Sequence, residues 1–547
     1  LCLDDVKHAQ HGYNPSPVST IDGVPAMEFM QRTSVRNGAS HDPDARFNGM
    51  FQSLANRANL GFFSPDPFAL GLTDTTEVKC HNGSKFEFTN TAFLRANFTG
   101  ITSGADLYNA FGQGNGTAPA PLLSSLYKLA ERDFTTDFEG YPRPVNATKV
   151  GNIAGFLPEG AEFSDVAVLV VNGFIESPTP DHEPEQLLPF HQFRAFHQVA
   201  VDVITAAKAA NRTKLILDLQ GNAGGLIYNI MVLYFALFPS DNLPILWQAR
   251  AHPQFAWLGK QLWNSTIEIA GSPWPLTSFM KPDGTPWSSF EEFYGPFPDS
   301  PDGKRWGEHT HPALFNLTGA LAVIATFFPF PDGWQYQLPW TTAPFAPEDI
   351  TILTDGQCGS ACAITVGILT HTHGVRTVAL GGRPLKAPMQ AVGQTKGGPI
   401  AMFATMPSDF DRSEAPEGLR LPPDPWNYKP PLRLGATQGL GTWGESVTFN
   451  VADIVPYEGN STDLGRGELP LQMRYEAANC RLFYTWDMAR DITAVWKAVA
   501  GVAWRGERCA PGSTTNADGT MGGVPGYTKL VEDRYGLGNG PGAVGRK

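Results

Sequence analysis

Positive charge is what this chain is shortest of. Its 547 residues carry 40 Lys and Arg against 53 Asp and Glu, a formal net charge of −13. No basic stripe is available to displace counterions from a phosphate backbone or to settle on an anionic leaflet, which argues against nucleic-acid and anionic-membrane partners. Long apolar runs are missing too, since stretches such as Ile227 to Phe238 are too short or too interrupted to span a bilayer. The six cysteines show no C-x-x-C pairing, and His309 and His311 have no third histidine or carboxylate at ligand spacing, so no metal is expected. The glycine turn Gln220-Gly221-Asn222-Ala223-Gly224-Gly225 lacks both the Lys-Ser/Thr of a phosphate loop and the G-x-G-x-x-G spacing, which argues against a nucleotide.

What is present points to a secreted globular protein. A hydrophobic content of 42% supplies core for two or three domains. Sequons at Asn82, Asn97, Asn115, Asn146, Asn211, Asn264, Asn316 and Asn460 point to glycosylation in the secretory pathway. Six cysteines, Cys2, Cys80, Cys358, Cys362, Cys480 and Cys509, fit disulfides in an oxidising compartment. Cys480 with Cys509 is the preferred bridge, because both flank a helix-like stretch, and the other pairings stay open. Leu1 opens the chain without an initiator Met or a leader, so a processed or truncated product with something upstream is expected.

The stretch from Ile350 to Gln390 organises the chain. Ile350 to Thr354 is short, apolar and β-branched, and Asp355-Gly356 closes it with a turn signal, so it reads as a buried strand. After Gly359 the residues Ser360, Ala361, Ala363, Ile364, Gly367 and Ile368 are small or apolar at helical spacing. A serine there sits over unpaired N–H groups and the positive end of the helix dipole, where a developing oxyanion is stabilised. Ser360 is thus a candidate nucleophile, with a plain N-cap as the alternative. Val375 to Leu380 reads as the next parallel strand, and the loop from Gly381 presents Lys386 and Gln390. Lys386 is a candidate base, on the condition that burial depresses its pKa; a solvated surface charge is its alternative.

Around this stretch the pattern is α/β. Val166 to Val171 and Lys214 to Leu219 read as strands, and Phe193, Phe196, Ala200, Val203, Ile204 and Ala207 share one helical face between them. The glycine turn follows the second strand and leads into a helix from Leu226 to Phe238. Residues 1–161 form an N-terminal region with β-like runs at Pro17 to Ile21 and Lys85 to Phe88 and a helix-like segment near Asp44 to Asn59. The segment 239–347 is rich in aromatics and proline and poor in periodicity, either a groove for extended peptide or an irregular glycosylated cap. The Gly-rich tail 510–547 is expected to be mobile.

Ser360-Ala361, the small-residue helix, the glycine loop, Lys386 and Gln390 four residues on together resemble the serine peptidases of family S41, the tail-specific or C-terminal processing proteases. T-D-G-x-C-x-S-x-C, G-G-R-P-x-x-x-P-M-Q-A and the E-A-A-N-C-R segment from Glu476 resemble the secreted fungal branch related to the chlamydial protease-like factor. The resemblance implies a crotonase/ClpP-like catalytic core over residues 162–500, and the phrase Ser16 to Val24 resembles the opening of a PDZ-like module. It implies a Ser360-Lys386 dyad supported by Gln390, with oxyanion donors from the backbone of Ala361 and of Gly224 or Gly225. In the chlamydial factor the base is a histidine supported by a glutamate, so Glu476 with a histidine from an upstream His-Asp-Gly-His segment is the competing assignment; His8 and His11 are the nearest substitutes and match no motif. The expected activity is hydrolysis of peptide bonds in a peptide or protein, without a cofactor. By resemblance alone the substrate is a precursor peptide of a fungal ribosomal-peptide pathway. An inactive S41-like peptide-binding glycoprotein and another serine acyl hydrolase are the rivals, although the G-x-S-x-G elbow is absent around Ser360. The oligomeric state is not legible.

Overall fold

The structure, a computed structural model, describes residues 16–35, 40–55, 74–90, 98–107, 109, 140–149, 151–175, 189–239, 245–251, 256, 259–260, 279–295, 297–298, 308–315, 336–397, 400–402, 448–450, 453–455 and 471–523. The N-terminal region builds a four-stranded antiparallel sheet from β1 (Val18–Ile21), β2 (Val24–Pro25), β3 (Thr75–Cys80) and β4 (Lys85–Thr89), in the order β2-β1-β3-β4. Asp22 and Gly23, at φ 48° and 76°, make the two-residue turn between β1 and β2, the positive-φ geometry that Asp-Gly favours in a hairpin. Helix α1 (Ala26–Ser34) lays Met30 on Ile21 and Val78, and Phe47 and Met50 complete that small core. Helix α2 (Pro43–Asn48) is shorter than the Asp44 to Asn59 segment expected. Asp42 caps it by accepting from the N–H groups of Asp44 and Ala45, with Pro43 pre-set for the first turn.

The catalytic-core expectation corresponds to a seven-stranded sheet. Its strands are β5 (Asn146–Ala147), β6 (Ile153–Phe156), β7 (Val166–Val171), β8 (Lys214–Asp218), β9 (Ile350–Thr354), β10 (Arg376–Leu380) and β11 (Cys480–Leu482). The order is β11-β10-β9-β8-β7-β6-β5, parallel from β7 to β11 and antiparallel at β6 and β5. All six residues of β7 are buried because helices cover both faces of the sheet, which is why the strand is apolar throughout rather than alternating. Ala167, Leu169 and Val171 face helices α3 (Pro189–Ala209), α4 (Ile227–Leu237) and α5 (Ala361–His373). Val166, Val168 and Val170 face helix α6 (Ile492–Trp504) through Val495, Trp496 and Val499. The result is a three-layer mixed α/β fold. No helix among the described residues is long and apolar enough to cross a membrane.

Three boundaries differ from the sequence reading. β5 and β6 belong to the central sheet, so the core begins near Asn146 rather than at residue 162; β5 is two residues long and gives no periodicity to read. Within 239–347, residues 279–280 pair with 313–315, 313–315 with 246–248, and 246–248 with 453–455 in one antiparallel sheet, so the described part of that insertion is not irregular. Strands of two or three residues are too short for alternation to show. Beyond Cys509 the chain stays packed: Ser513 and Met521 are buried, and Ala510 donates to the Arg481 carbonyl. Residues 524–547 of the expected tail lie outside the described residues.

Trp496, fully buried, donates its indole N–H to Asp218 Oδ2 at 2.9 Å. Replacing it with Phe keeps most of the ring volume and leaves a buried carboxylate short of a donor, and a hydrogen bond to a charged group is worth about 1.5–3 kcal/mol. Trp496→Phe is expected to lower the free energy of unfolding by about that amount. Urea titration monitored by far-ultraviolet circular dichroism checks it, and an unchanged midpoint would contradict it.

Candidate active site

The carboxyl ends of β8 and β9 carry the two turns that matter. Leu353 lies opposite Asp218, and the Leu219 N–H donates to the Leu353 carbonyl, so both chains leave the sheet side by side. After β9 the chain runs through Asp355-Gly356-Gln357-Cys358-Gly359 to Ser360, which stands immediately before α5. Ser360 has φ 51° and ψ −121°, a strained backbone for a residue with a side chain. Its hydroxyl makes no capping hydrogen bond, so the plain N-cap alternative does not describe it. A disulfide between Cys358 and Cys362 closes a short loop around the serine, and the preferred Cys480–Cys509 bridge is also formed.

Three contacts hold the strained residue. The Ser360 N–H donates to the Thr395 carbonyl at 2.8 Å, Gln394 N donates to Cys358 O at 3.1 Å, and Gly393 N donates to Gly356 O at 3.0 Å. Residues 392–395 thus run beside the nucleophile turn, as the parallel bridge between Gly356 and Val392 begins to do.

The glycine turn arrives from β8. A side chain at Gly224 would put its Cβ 2.7 Å from Ser360 Cβ and 3.0 Å from Ala361 N, so only glycine lets this turn reach the serine. The expected donors are therefore brought together. The Gly224 N–H is taken by Asn222 Oδ1 at 2.9 Å. Gly225, at φ 136°, sits in a parallel bridge with Phe174, formed by the Gly224 carbonyl and the Leu226 N–H. In such a ladder the intervening N–H points to the other side. No acceptor for the N–H of Gly225 or Ala361 is found among the described residues.

The lysine is where the expectation changes. Lys386 is exposed, so the burial on which its role as a base depended is not met. Gln390 is buried, but its Oε1 accepts from Lys396 Nζ at 2.7 Å, and its Nε2 donates to Asp42 Oδ2 at 2.8 Å. Lys396, 7% exposed, also donates to the Arg474 carbonyl at 2.7 Å and lies 3.5 Å from Glu476 Oε2. Burial pulls the Lys396 pKa down, against the opposing charges of Glu476 and Asp42. Burial likewise raises that of Asp42, with Asp44 adding to it. A buried lysine signals itself poorly in sequence, because Thr395-Lys396-Gly397 looks like any polar loop.

Glu476 is paired, though not with an upstream histidine. Its Oε1 lies 2.7 Å from Nε2 of His371, on α5. His371 is ten residues beyond Ala361, and at about 1.5 Å of rise per residue that is about 15 Å along the helix, too far to take a proton from Ser360 directly. His8 and His11 lie outside the described residues. The N-terminal region also enters the site, which the sequence reading missed. Asp44 accepts from Arg383 Nε at 3.0 Å, Asn48 Nδ2 donates to the carbonyls of Asp355 and Leu380, and Gln357 Nε2 donates to the Ala45 carbonyl. Asp42-Pro43-Asp44 at the head of a helix was a legible capping signal, but its destination was not.

Relatives share both the N-terminal module and the core that carries this geometry. Residues 2–99 match the family model of the CPAF-like PDZ domain. The chain is 26% identical over 555 aligned positions to the Peptidase S41 family protein phomP1 of Diaporthe leptostromiformis, covering 90% of this chain and 76% of that one. It is 25% identical to the Peptidase S41 family protein ustP of Aspergillus flavus, over 85% of this chain and 95% of that one. The chain is thus similar to proteins of the peptidase S41 family over most of its length. Among solved structures the chain overlays loosely on a point mutant of CPAF, with TM-score 0.38 and 11% identity over 89% of this chain and 76% of that one. Mature CPAF complexed with lactacystin gives TM-score 0.32 and 12% identity over 83% and 72%. The PDZ-like and α/β expectations for this chain stand.

Glu476 gives the chain an acid-sensitive joint. Burial acts to raise its pKa, but the charge of Lys396 and the His371 contact outweigh it and hold the carboxyl at about 2, below the ordinary 4.5. A depressed carboxylate contributes stability that is present above pH 4.5 and is lost as pH falls toward 2. Glu476→Gln is expected to lower the melting temperature at pH 7 and to flatten its decline between pH 4.5 and 2. Calorimetry across that window checks it, and an unaltered pH slope would contradict the pairing.

Proposed function

We propose that this chain is a secreted serine endopeptidase that cleaves peptide bonds by acylation of Ser360. The observation that carries the reading is the contact between Gly224 and Ser360. It sets a strained serine, with its hydroxyl unused in capping, between the backbone donors of Ala361 and Gly225. Water then releases the acyl group, and neither a metal nor an organic cofactor is called for. We assign proton transfer to Lys396 in place of Lys386. Desolvation favours its neutral form, Gln390 Oε1 accepts from its amino group, and its neighbour Thr395 holds the Ser360 N–H. As a neutral amine Lys396 has two N–H groups, which Gln390 Oε1 and the Arg474 carbonyl take at 2.7 Å each, so the 3.5 Å contact to Glu476 is the one given up with the proton. A precursor peptide as substrate rests on the fungal resemblance alone.

A fluorophosphonate probe is expected to label Ser360, and Ser360→Ala to abolish labelling. Lys396→Ala and Lys396→Arg should each slow labelling by about a hundredfold or more, the usual contribution of a general base, because a guanidinium does not give up its proton. Lys386→Ala should stay within about threefold of wild type, well short of a lost base. Loss of labelling in Lys386→Ala with retention in Lys396→Arg would return the role to Lys386. A folded wild type that the probe never labels would instead support the peptide-binding rival.

Secretion is testable through the sequons. Asn82 and Asn211 are exposed, whereas the Asn146 amide donates to Asp202 Oδ2 at 2.7 Å from within β5. Glycopeptide mass spectrometry of protein from its native source is expected to find glycans at Asn82 and Asn211 and a bare Asn146. Unmodified asparagines at both exposed sites would contradict the secretory assignment.

A further inference from the structure

Asp355 is 3% exposed and sits where β9 ends, one strand away from another buried carboxylate, Asp218. Its Oδ1 accepts two backbone N–H groups, from Gly221 in the glycine turn at 3.1 Å and from Gln357 in the nucleophile turn at 3.0 Å. One oxygen therefore joins the loop that carries Gly225 to the loop that carries Ser360 and Ala361. Asp218 does not share this work, since its oxygens are occupied by Gln220 and Trp496. A direct backbone link between the two turns, from Gly359 N to Asn222 O, is longer at 3.3 Å.

We propose that Asp355 is a positioning residue for acyl transfer, a carboxylate staple that holds the two halves of the oxyanion site in register. The proposal rests on Ser360 being the nucleophile. Two N–H dipoles converging on one oxygen are held more firmly by a charged acceptor than by a neutral one. An asparagine would satisfy the same geometry without burying a charge beside Asp218. A costly carboxylate kept at such a place is explained by the rigidity it gives the turns rather than by stability.

The groups facing Asp355 come from three elements. Asp218 approaches from β8, Tyr484 from the segment after β11 with its hydroxyl on Gln220 Oε1, and Asn48 from α2 by its amide on the Asp355 carbonyl. Burial, with a smaller contribution from Asp218, pushes the Asp355 carboxyl up to about 6, against the two N–H bonds. The sign matters here. A raised carboxyl pKa means that protonation favours the folded state, so acidification through pH 6 should loosen the staple without costing stability at this residue.

Asp355→Asn imitates the protonated form, which gives the test. The rate of Ser360 labelling by a fluorophosphonate is measured from pH 5 to 8 on the full chain, wild type against Asp355→Asn and Asp355→Ala, with melting temperatures alongside. Asp355→Asn should label at least about tenfold more slowly at pH 7.5, part of the 10²–10³ that losing a whole oxyanion donor costs. It should lack the wild-type limb near pH 6 and melt no lower than wild type. Asp355→Ala should be slower still. Labelling of Asp355→Asn at the wild-type rate, persistence of the limb near pH 6, or a fall in melting temperature that parallels the rate would each overturn the proposal. Wild type labelled elsewhere than Ser360 would sink the nucleophile assignment first, and that outcome is read before any Asp355 variant is made.

Discussion

Everything at this site depends on the parallel pairing of β8 with β9. Two neighbouring parallel strands deliver their following turns to the same edge of the sheet, and here one turn brings glycines while the other brings a serine. The serine is strained at φ 51°, and strain of that kind, about 1–3 kcal/mol, persists only where its surroundings over-determine it. The surroundings are specific: Thr395 takes its N–H, Gly224 packs against its Cβ, and a disulfide spans it from Cys358 to Cys362.

The segment from Gln390 to Lys396 transmits that constraint outward. Lys396 anchors one end through Gln390, Arg474 and Glu476, and Gln390 reaches Asp42. Asp42 uses one carboxylate oxygen to cap α2 and the other to receive Gln390, so its side chain joins the N-terminal region to the loop beside Ser360. Arg481, fully buried, adds to the ties made by Asn48, Gln357 and Arg383 by donating from Nε to the Gly381 carbonyl at 2.8 Å while lying 3.6 Å from Asp44. A PDZ-like module attached in this way is part of the support for the loop that holds Ser360.

The buried charges have different electrostatic roles. Lys396 and Glu476 compensate each other, and Asp44 is answered by Arg383 and Arg481. Asp218 accepts from Gln220 and Trp496, while Asp355 has no cation on it among the ion pairs of the described residues and relies on the N–H groups of Gly221 and Gln357. A carboxylate held by dipoles alone is the more sensitive to protonation, because desolvation is opposed by nothing of full opposite charge.

The sequence by itself determined the parallel α/β core, its strands from Val166 to Leu380 and the serine-bearing turn, whereas the Cys480–Cys509 bridge was only a preference that the structure decided. The core, strands and turn are written in local pattern: β-branched runs, a glycine turn before an apolar helix, and small residues after Gly359. The lysine was not legible, because Lys386 and Lys396 differ only in what folds over them. Burial is a property of the whole chain: Lys396 is enclosed by Gln390, Arg474 and Glu476, while Lys386 is left in solvent. The same reason hid Asp42 and Asp355. Each looks like an ordinary cap or turn residue, and only tertiary structure decided that one receives Gln390 from 348 positions away and the other an N–H from 134 positions away.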